Sequence, residues 1–125
     1  MSTWIISLIS ILIIPIVILP LSLIMIKFKS INYIFGYRTT RSMKNENTWV
    51  YANTLSGKLL AFGSLAFIVL DVIFMLIMLR KSENLLSALL LPVGFAPILL
   101  YLIVSIVIVE LKLKSKFDKN GNLIK

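Results

Sequence analysis

Three long apolar runs, separated by shorter polar stretches, set the pattern of this chain. From Thr3 to Ile26 no residue carries a charge; from Leu59 to Leu79 the run is broken only by Asp71; from Leu85 to Val109 it is again uncharged. A helix that crosses bilayer hydrocarbon needs about 20 mainly apolar residues, and all three runs supply them. Lipid cannot satisfy an open backbone N–H or C=O, so each run is predicted to be helical. The expected fold class is therefore all-α, a polytopic membrane protein with three transmembrane helices. Residues 1–125 are read as one membrane domain, with a structured loop over 27–58 and a tail over 110–125. Pro15 and Pro20 in the first run, and Pro92 and Pro97 in the third, remove helical hydrogen bonds and predict bends. The first run is expected to be retained rather than cleaved. Its flank lacks the basic residues of a signal peptide, and its apolar length exceeds the roughly 7–15 residues of a signal core.

Composition points the same way. Hydrophobic residues make up 59% of the chain and charged residues 14%, against roughly 45–50% and about 25% in soluble domains. A soluble domain of this size has too little interior to hide the excess. There is no cysteine and no histidine, which removes disulfides, thiolate nucleophiles, imidazole acid–base chemistry and the usual zinc ligand sets. No metal, cofactor or enzymatic activity is expected. In a soluble domain the net charge of +8 would suggest nucleic acid, but no recognition motif accompanies it, and direct nucleic-acid binding is not expected. Here the cations flank apolar runs, which makes the lipid bilayer and its anionic headgroups the nearer partner.

The placement of those cations predicts orientation. Lys27, Lys29, Arg38, Arg41, Lys44 and Lys58 belong to the first loop, and Lys112, Lys114, Lys116, Lys119 and Lys125 to the tail. Only Arg80 and Lys81, of the 13 Lys and Arg, fall on the opposite side. The positive-inside rule then puts the loop and the tail in the cytoplasm and the N-terminus outside.

The loop over 27–58 is where the sequence stops being generic. Lys27-Phe28-Lys29 closes the first span as a basic-aromatic anchor. A turn is predicted near Gly36, and a helix starting at Ser42 or Asn45, either of which can cap it. Glu46 then lies in the first turn, where a negative side chain suits the positive helix end. No proline intervenes before Pro92, so this helix is expected to run straight into the second span. Trp49, Asn53, Ser56 and Leu60 share one face of it, and Trp49 is expected at the headgroups. A mere connector needs only a few residues. Two readings stand: a solvated basic connector that binds anionic lipid, or a fixed polar cluster of Arg38, Lys44 and Glu46 docked over the helix ends.

The run Gly36-Tyr37-Arg38-Thr39, continued by Ser42-Met43-Lys44-Asn45-Glu46, Thr48-Trp49, Ala52-Asn53 and Gly57-Lys58, resembles the signature of the SdpI/YfhL family of bacterial membrane proteins. The tail Phe117-Asp118-Lys119-Asn120-Gly121-Asn122 is similar to the ends of some members, a weaker cue. The resemblance implies a bacterial cytoplasmic membrane and immunity against a membrane-active peptide toxin. For the founding type it also implies holding a transcriptional repressor at the membrane. Larger members carry further spans ahead of this module, a departure that counts against the repressor-holding role and leaves immunity or an unassigned role as the expectation for this three-span form. The candidate partner-binding residues are Gly36, Arg38, Thr39, Ser42, Lys44, Asn45, Glu46, Trp49 and Asn53.

Asp71 is the one ionisable residue inside a span. A charge there costs at least about 2.5–3.5 kcal/mol, so such residues face the bundle interior. Gly57, Ser64 and Asp71 recur at a spacing of seven with Ala61 beside them, which predicts a narrow packing seam. Two roles are open for Asp71: glue, through a hydrogen bond to Tyr101 or Ser105, or a toxin-contacting or proton-linked site. Residues 80–84 predict a tight turn. The tail from Glu110 is expected to continue the third helix with lysines reaching headgroups, although Asn120-Gly121 would also suit a short hairpin. Nothing in the tail specifies a partner. Three function classes compete: a toxin-immunity protein, a scaffold that sequesters a cytoplasmic regulator, and an enzyme or transporter. The last lacks any visible nucleophile–base pair, and three helices enclose little cavity unless they form a homo-oligomer. One geometric difficulty remains, since the signature is expected inside the cell and a toxin arrives from outside.

Overall fold

The computed structural model describes residues 2–124; Lys125, one of the tail cations, lies outside them. The chain order is α1 (Thr3–Met25), α2 (Glu46–Met78), α3 (Glu83–Leu89), a π-helical segment (Leu90–Phe95) and α4 (Ala96–Lys116). No strand occurs among the described residues, only an isolated antiparallel bridge between Phe117 and Leu123. Three helical runs, Thr3–Met25, Glu46–Met78 and Glu83–Lys116, are long and apolar enough to cross a membrane. The protein is all-helical with three such spans, as the apolar runs predict.

Side chains are sorted in the manner of a membrane bundle. Ile5, Ile9, Ile13, Ile16, Leu76, Leu100 and Ile103 point outward, while Ser7, Ser22, Ser64, Asp71 and Ser105 are buried. Lipid is as apolar as leucine, so the bundle gains little by hiding leucine; small and polar side chains line its interior instead. α1 packs chiefly on α2, and α2 on α4. Gly57 sits directly against Ser22 of α1 and Ile26 just beyond its end, and the seam of Gly57, Ser64 and Asp71 is buried.

The second helix begins at Glu46, as the candidate cap Asn45 predicts, and runs without a break into the apolar run that starts at Leu59. The third run, Glu83–Lys116, is helical throughout but changes type around Pro92. Pro92 has no N–H to return to the preceding turn, and the backbone there widens, with the Ala96 N–H bonding to the Leu91 carbonyl. Gly94 lets this widened turn lie on Ile11 of α1. The 80–84 connection is short as expected, and Ser82 caps α3 by accepting from the Leu85 N–H.

Apolar contacts gather at the two ends of the bundle. Met25, Tyr37, Ala52, Val109, Leu113 and Phe117 form one cluster, and Ile11, Phe74, Met75, Met78 and Leu86 the other. Between them the Tyr101 ring fills the space left by the absent side chain of Gly63, and its hydroxyl donates to the Leu59 carbonyl at 2.7 Å. Helix propensity alone would make Gly63→Ala stabilising by about 1 kcal/mol. The Tyr101 ring decides otherwise, since overpacking typically costs about 1–3 kcal/mol. Thermal unfolding of the purified protein in detergent should therefore show Gly63→Ala less stable than wild type; a higher melting temperature would refute the close approach.

Candidate functional site

The loop between α1 and α2 is held in shape mainly by uncharged hydrogen-bonding groups. It starts with Asn32, whose side-chain oxygen accepts from the Ile34 and Phe35 N–H groups at 3.1 and 2.8 Å and turns the chain. Gly36 follows with φ of +126°, a conformation that a side chain makes strained. A Cβ at this position would lie 2.6 Å from Asn53 Oδ1 and 3.0 Å from Trp49 Cη2. The turn thus brings bare backbone onto α2. There the Tyr37 N–H donates to Asn53 Oδ1 at 2.7 Å, and Asn53 Nδ2 donates to the Trp49 carbonyl at 3.0 Å. Phe28 stacks on Trp49 with ring centroids 6.1 Å apart, and Phe35 meets Phe28 edge-on at 5.8 Å.

A second turn connects this joint to the helix start. Ser42 Oγ accepts from the Thr39 N–H at 2.8 Å and lies 2.8 Å from the Tyr37 carbonyl, while Thr39 Oγ1 accepts from the Ser42 N–H at 3.2 Å. Asn45 and Thr48 then close a capping box: Asn45 Oδ1 accepts from the Thr48 N–H at 3.0 Å, and Thr48 Oγ1 from the Asn45 N–H at 3.1 Å. Ser42, Thr48, Trp49 and Asn53 are at most 1% exposed. Buried polar groups of this kind are normally paired; the local turns and the Tyr37 backbone pair Ser42, Thr48 and Asn53, while the Trp49 Nε1–H is left without a partner among the described residues.

The third helix and the tail hold the loop from the other side. The Tyr37 hydroxyl lies 3.0 Å from Glu110 Oε1 and 3.2 Å from the Ile106 carbonyl. Burial, and then the Glu110 carboxylate that accepts its proton, push the Tyr37 phenol well above its ordinary value. Arg41 Nε approaches the other Glu110 oxygen at 3.9 Å, a half-exposed pair worth about 0–1 kcal/mol at most. Beyond Lys116 the chain reverses. Asp118 Oδ1 accepts from the Asn120 and Asn122 N–H groups, each at 2.8 Å. Gly121 takes a φ of +87°, and its carbonyl accepts from Asn45 Nδ2 at 2.8 Å. The Asn122 amide above all holds the Asp118 carboxyl below its usual range.

Of the residues singled out in the sequence, Gly36, Thr39, Ser42, Asn45, Trp49 and Asn53 come together in this joint. Arg38, Lys44 and Glu46 do not. All three are exposed, and none pairs with another among the described residues, so the polar cluster expected of them is not formed. Desolvating charges is expensive and surface pairing returns little, which leaves them solvated on the rim. Trp49 is fully covered within the protein, with Phe28 stacked on it. The tail continues the third helix through Lys116, as expected, and then turns back in a short hairpin whose partner is the loop itself. Asp71 lies far from this joint and meets neither expected partner. Ser105 donates to the Leu102 carbonyl, and the Tyr101 ring sits level with Gly63, roughly 12 Å along α2 from Asp71 at 1.5 Å per residue.

Tyr37, Thr48, Glu110 and Gly121 were missed as members. Thr48 was findable, since it follows Asn45 at the capping-box spacing; the Tyr37–Glu110 contact joins residues too far apart for any local signal. The outer side of the joint carries an open groove of about 520 Å³ between Lys29, Glu46, Val50, Tyr51, Lys116 and Leu123. Lys116 Nζ stands 4.3 Å above the Tyr51 ring there. Among the described residues no group of three or more carboxylates gathers as a metal site. The arrangement suits shape-based, non-covalent binding.

A family model, described as the SdpI/YfhL protein family, matches residues 29–109, which covers the loop, α2 and most of the third span. No curated protein and no solved structure matches the chain.

Two outcomes follow from the joint. Asn53→Ala leaves the Tyr37 N–H without its acceptor and should cost about 1–3 kcal/mol; hydrogen exchange of residues 36–45 should quicken ahead of the spans. Asp118 has a depressed folded value, so its support for the tail turn is complete above about pH 4 and is lost as the pH falls further. Amide shifts of Asn120 and Asn122 should report that acid transition, and Asp118→Asn should abolish it.

Proposed function

This chain belongs to the SdpI/YfhL protein family, and on that premise we propose that it is an immunity protein, which protects a bacterial cell against a membrane-active peptide toxin by non-covalent binding or by shielding the toxin's target. The observation that carries the proposal is the family match, which runs through the loop and the two spans that follow it. The three apolar helices support a multi-pass membrane location. The cation excess on loop and tail supports a plasma-membrane orientation with both in the cytoplasm and the N-terminus outside.

The burial of the loop suggests how the parts divide the work. Ser42, Asn53 and Trp49 are fully enclosed and present no surface to a ligand. Their role in this proposal is to clamp the cytoplasmic ends of the three helices into one shape. The toxin is met on the membrane-embedded and outer faces of the bundle, which reconciles an internal signature with an external threat. The exposed rim of Arg38, Lys44 and Glu46, with the groove beside Lys29 and Lys116, supports a second reading, in which the loop sequesters a cytoplasmic transcriptional regulator.

Survival of toxin-sensitive Gram-positive cells expressing the chain tests both, with membrane abundance matched by blotting. Wild type should protect, Asn53→Ala should not, and Arg38→Ala and Glu46→Ala should protect like wild type. Loss of protection in the rim variants at equal abundance would move the working surface to the loop. A wild type that protects against no such toxin would remove the immunity reading. A small DNA-binding protein co-purifying with membranes in an Arg38-dependent manner would establish the second.

A further inference from the structure

Within the spans, Asp71 is a carboxylic acid that the fold buries but does not satisfy. It is 3% exposed, and its Oδ2 has no hydrogen-bond partner among the described residues. It lines a pocket of about 300 Å³ whose other walls are apolar, among them Phe67, Phe74 and Ile77 of α2, Val93 of the π-helical segment and Pro97 of α4. Pro97 has no N–H to return to Val93, so the facing wall also holds a carbonyl without its α-helical donor. An intramembrane acid normally pairs with a cation or a donor of its own bundle. Here every lysine and arginine lies in the loop, the 80–84 turn or the tail. A second copy of the chain would bring no cation to this depth either.

We propose that the Asp71 pocket receives the ammonium or guanidinium group of a membrane-inserted peptide. A cationic side chain supplies the missing donor and the opposite charge together. A bare metal ion suits the site poorly, because one carboxyl among aromatic and aliphatic walls cannot supply the six or more oxygens that hard cations take. The position fits an intruder from the far side of the membrane from the loop: Asp71 lies about 10 Å along α2 from its end at Met78, two helical turns. That the natural peptide is the toxin rests on the immunity reading above; the chemistry of the pocket does not.

The test uses the full chain in nanodiscs of zwitterionic phosphatidylcholine, so that headgroup charge contributes nothing. The probes are two dye-labelled synthetic leucine–alanine peptides that insert across the bilayer, one with a single lysine in its apolar stretch and one with norleucine there. The lysine peptide should bind at least about tenfold more tightly, the scale of a close desolvated charge pair. Asp71→Asn should erase that preference and Asp71→Glu should keep it, with circular dichroism confirming equal helix content. Val93→Phe, which fills the pocket from the opposite wall, should erase it without touching the acid. Equal binding of the two peptides to wild type, or a lysine preference that survives Asp71→Asn, would overturn the site. Toxin resistance retained by Asp71→Asn cells would remove the toxin as the natural occupant and leave immunity standing. Lysine selectivity in nanodiscs would uphold the site even where wild-type cells show no resistance.

Discussion

The backbone N–H of Tyr37 finds its acceptor in the side chain of Asn53, at 2.7 Å, and the loop hangs from that bond. A long connection folded down onto helix ends has to satisfy its own backbone, since an orphaned buried N–H costs about 1–3 kcal/mol. Asn53 does this from the first turns of α2, and it can do so only because Gly36 carries no side chain between them. The stacking of Phe28 on Trp49, the reciprocal turn of Thr39 and Ser42 and the capping box of Asn45 and Thr48 are all laid out around that contact.

The clamp also joins parts of the chain that membrane insertion alone would leave independent. Tyr37 reaches Glu110 near the end of α4, and Asn45 holds the carbonyl of Gly121 in the tail. α1 is engaged through Met25, which packs with Tyr37 and Ala52. Helices in lipid lack the hydrophobic drive that assembles soluble bundles, and small contact residues and polar links replace it. The clamp supplies those links at one end. At the other, where Asp71 and its pocket lie, the packing is apolar and the acid is left without a partner.

Much of this architecture is local enough to read from residues. The three spans follow from uncharged length, the turn at Gly36 from a residue that tolerates positive φ, and the start of α2 from Asn45. The inward face of Gly57, Ser64 and Asp71 follows from helical period. The expected charged cluster of the loop failed for a physical reason. Arg38, Lys44 and Glu46 drew attention because charged residues dominate a polar loop on inspection, yet water holds charges more firmly than a weak pair does. The groups that build the joint are amides, hydroxyls and glycines.

What the sequence determined by itself, then, was the number of spans, their helical state and the residues that punctuate them, because each depends on neighbours within a few turns. Tertiary structure alone decided which side chains meet: Tyr37 with Glu110, Asn45 with the tail, Tyr101 with Gly63 rather than with Asp71. Those pairings depend on the register between helices far apart in the chain. That register is set by where small residues allow close approach and by a widened turn at Pro92, and neither the depth of the approach nor the extra residue in the turn is written in any local pattern.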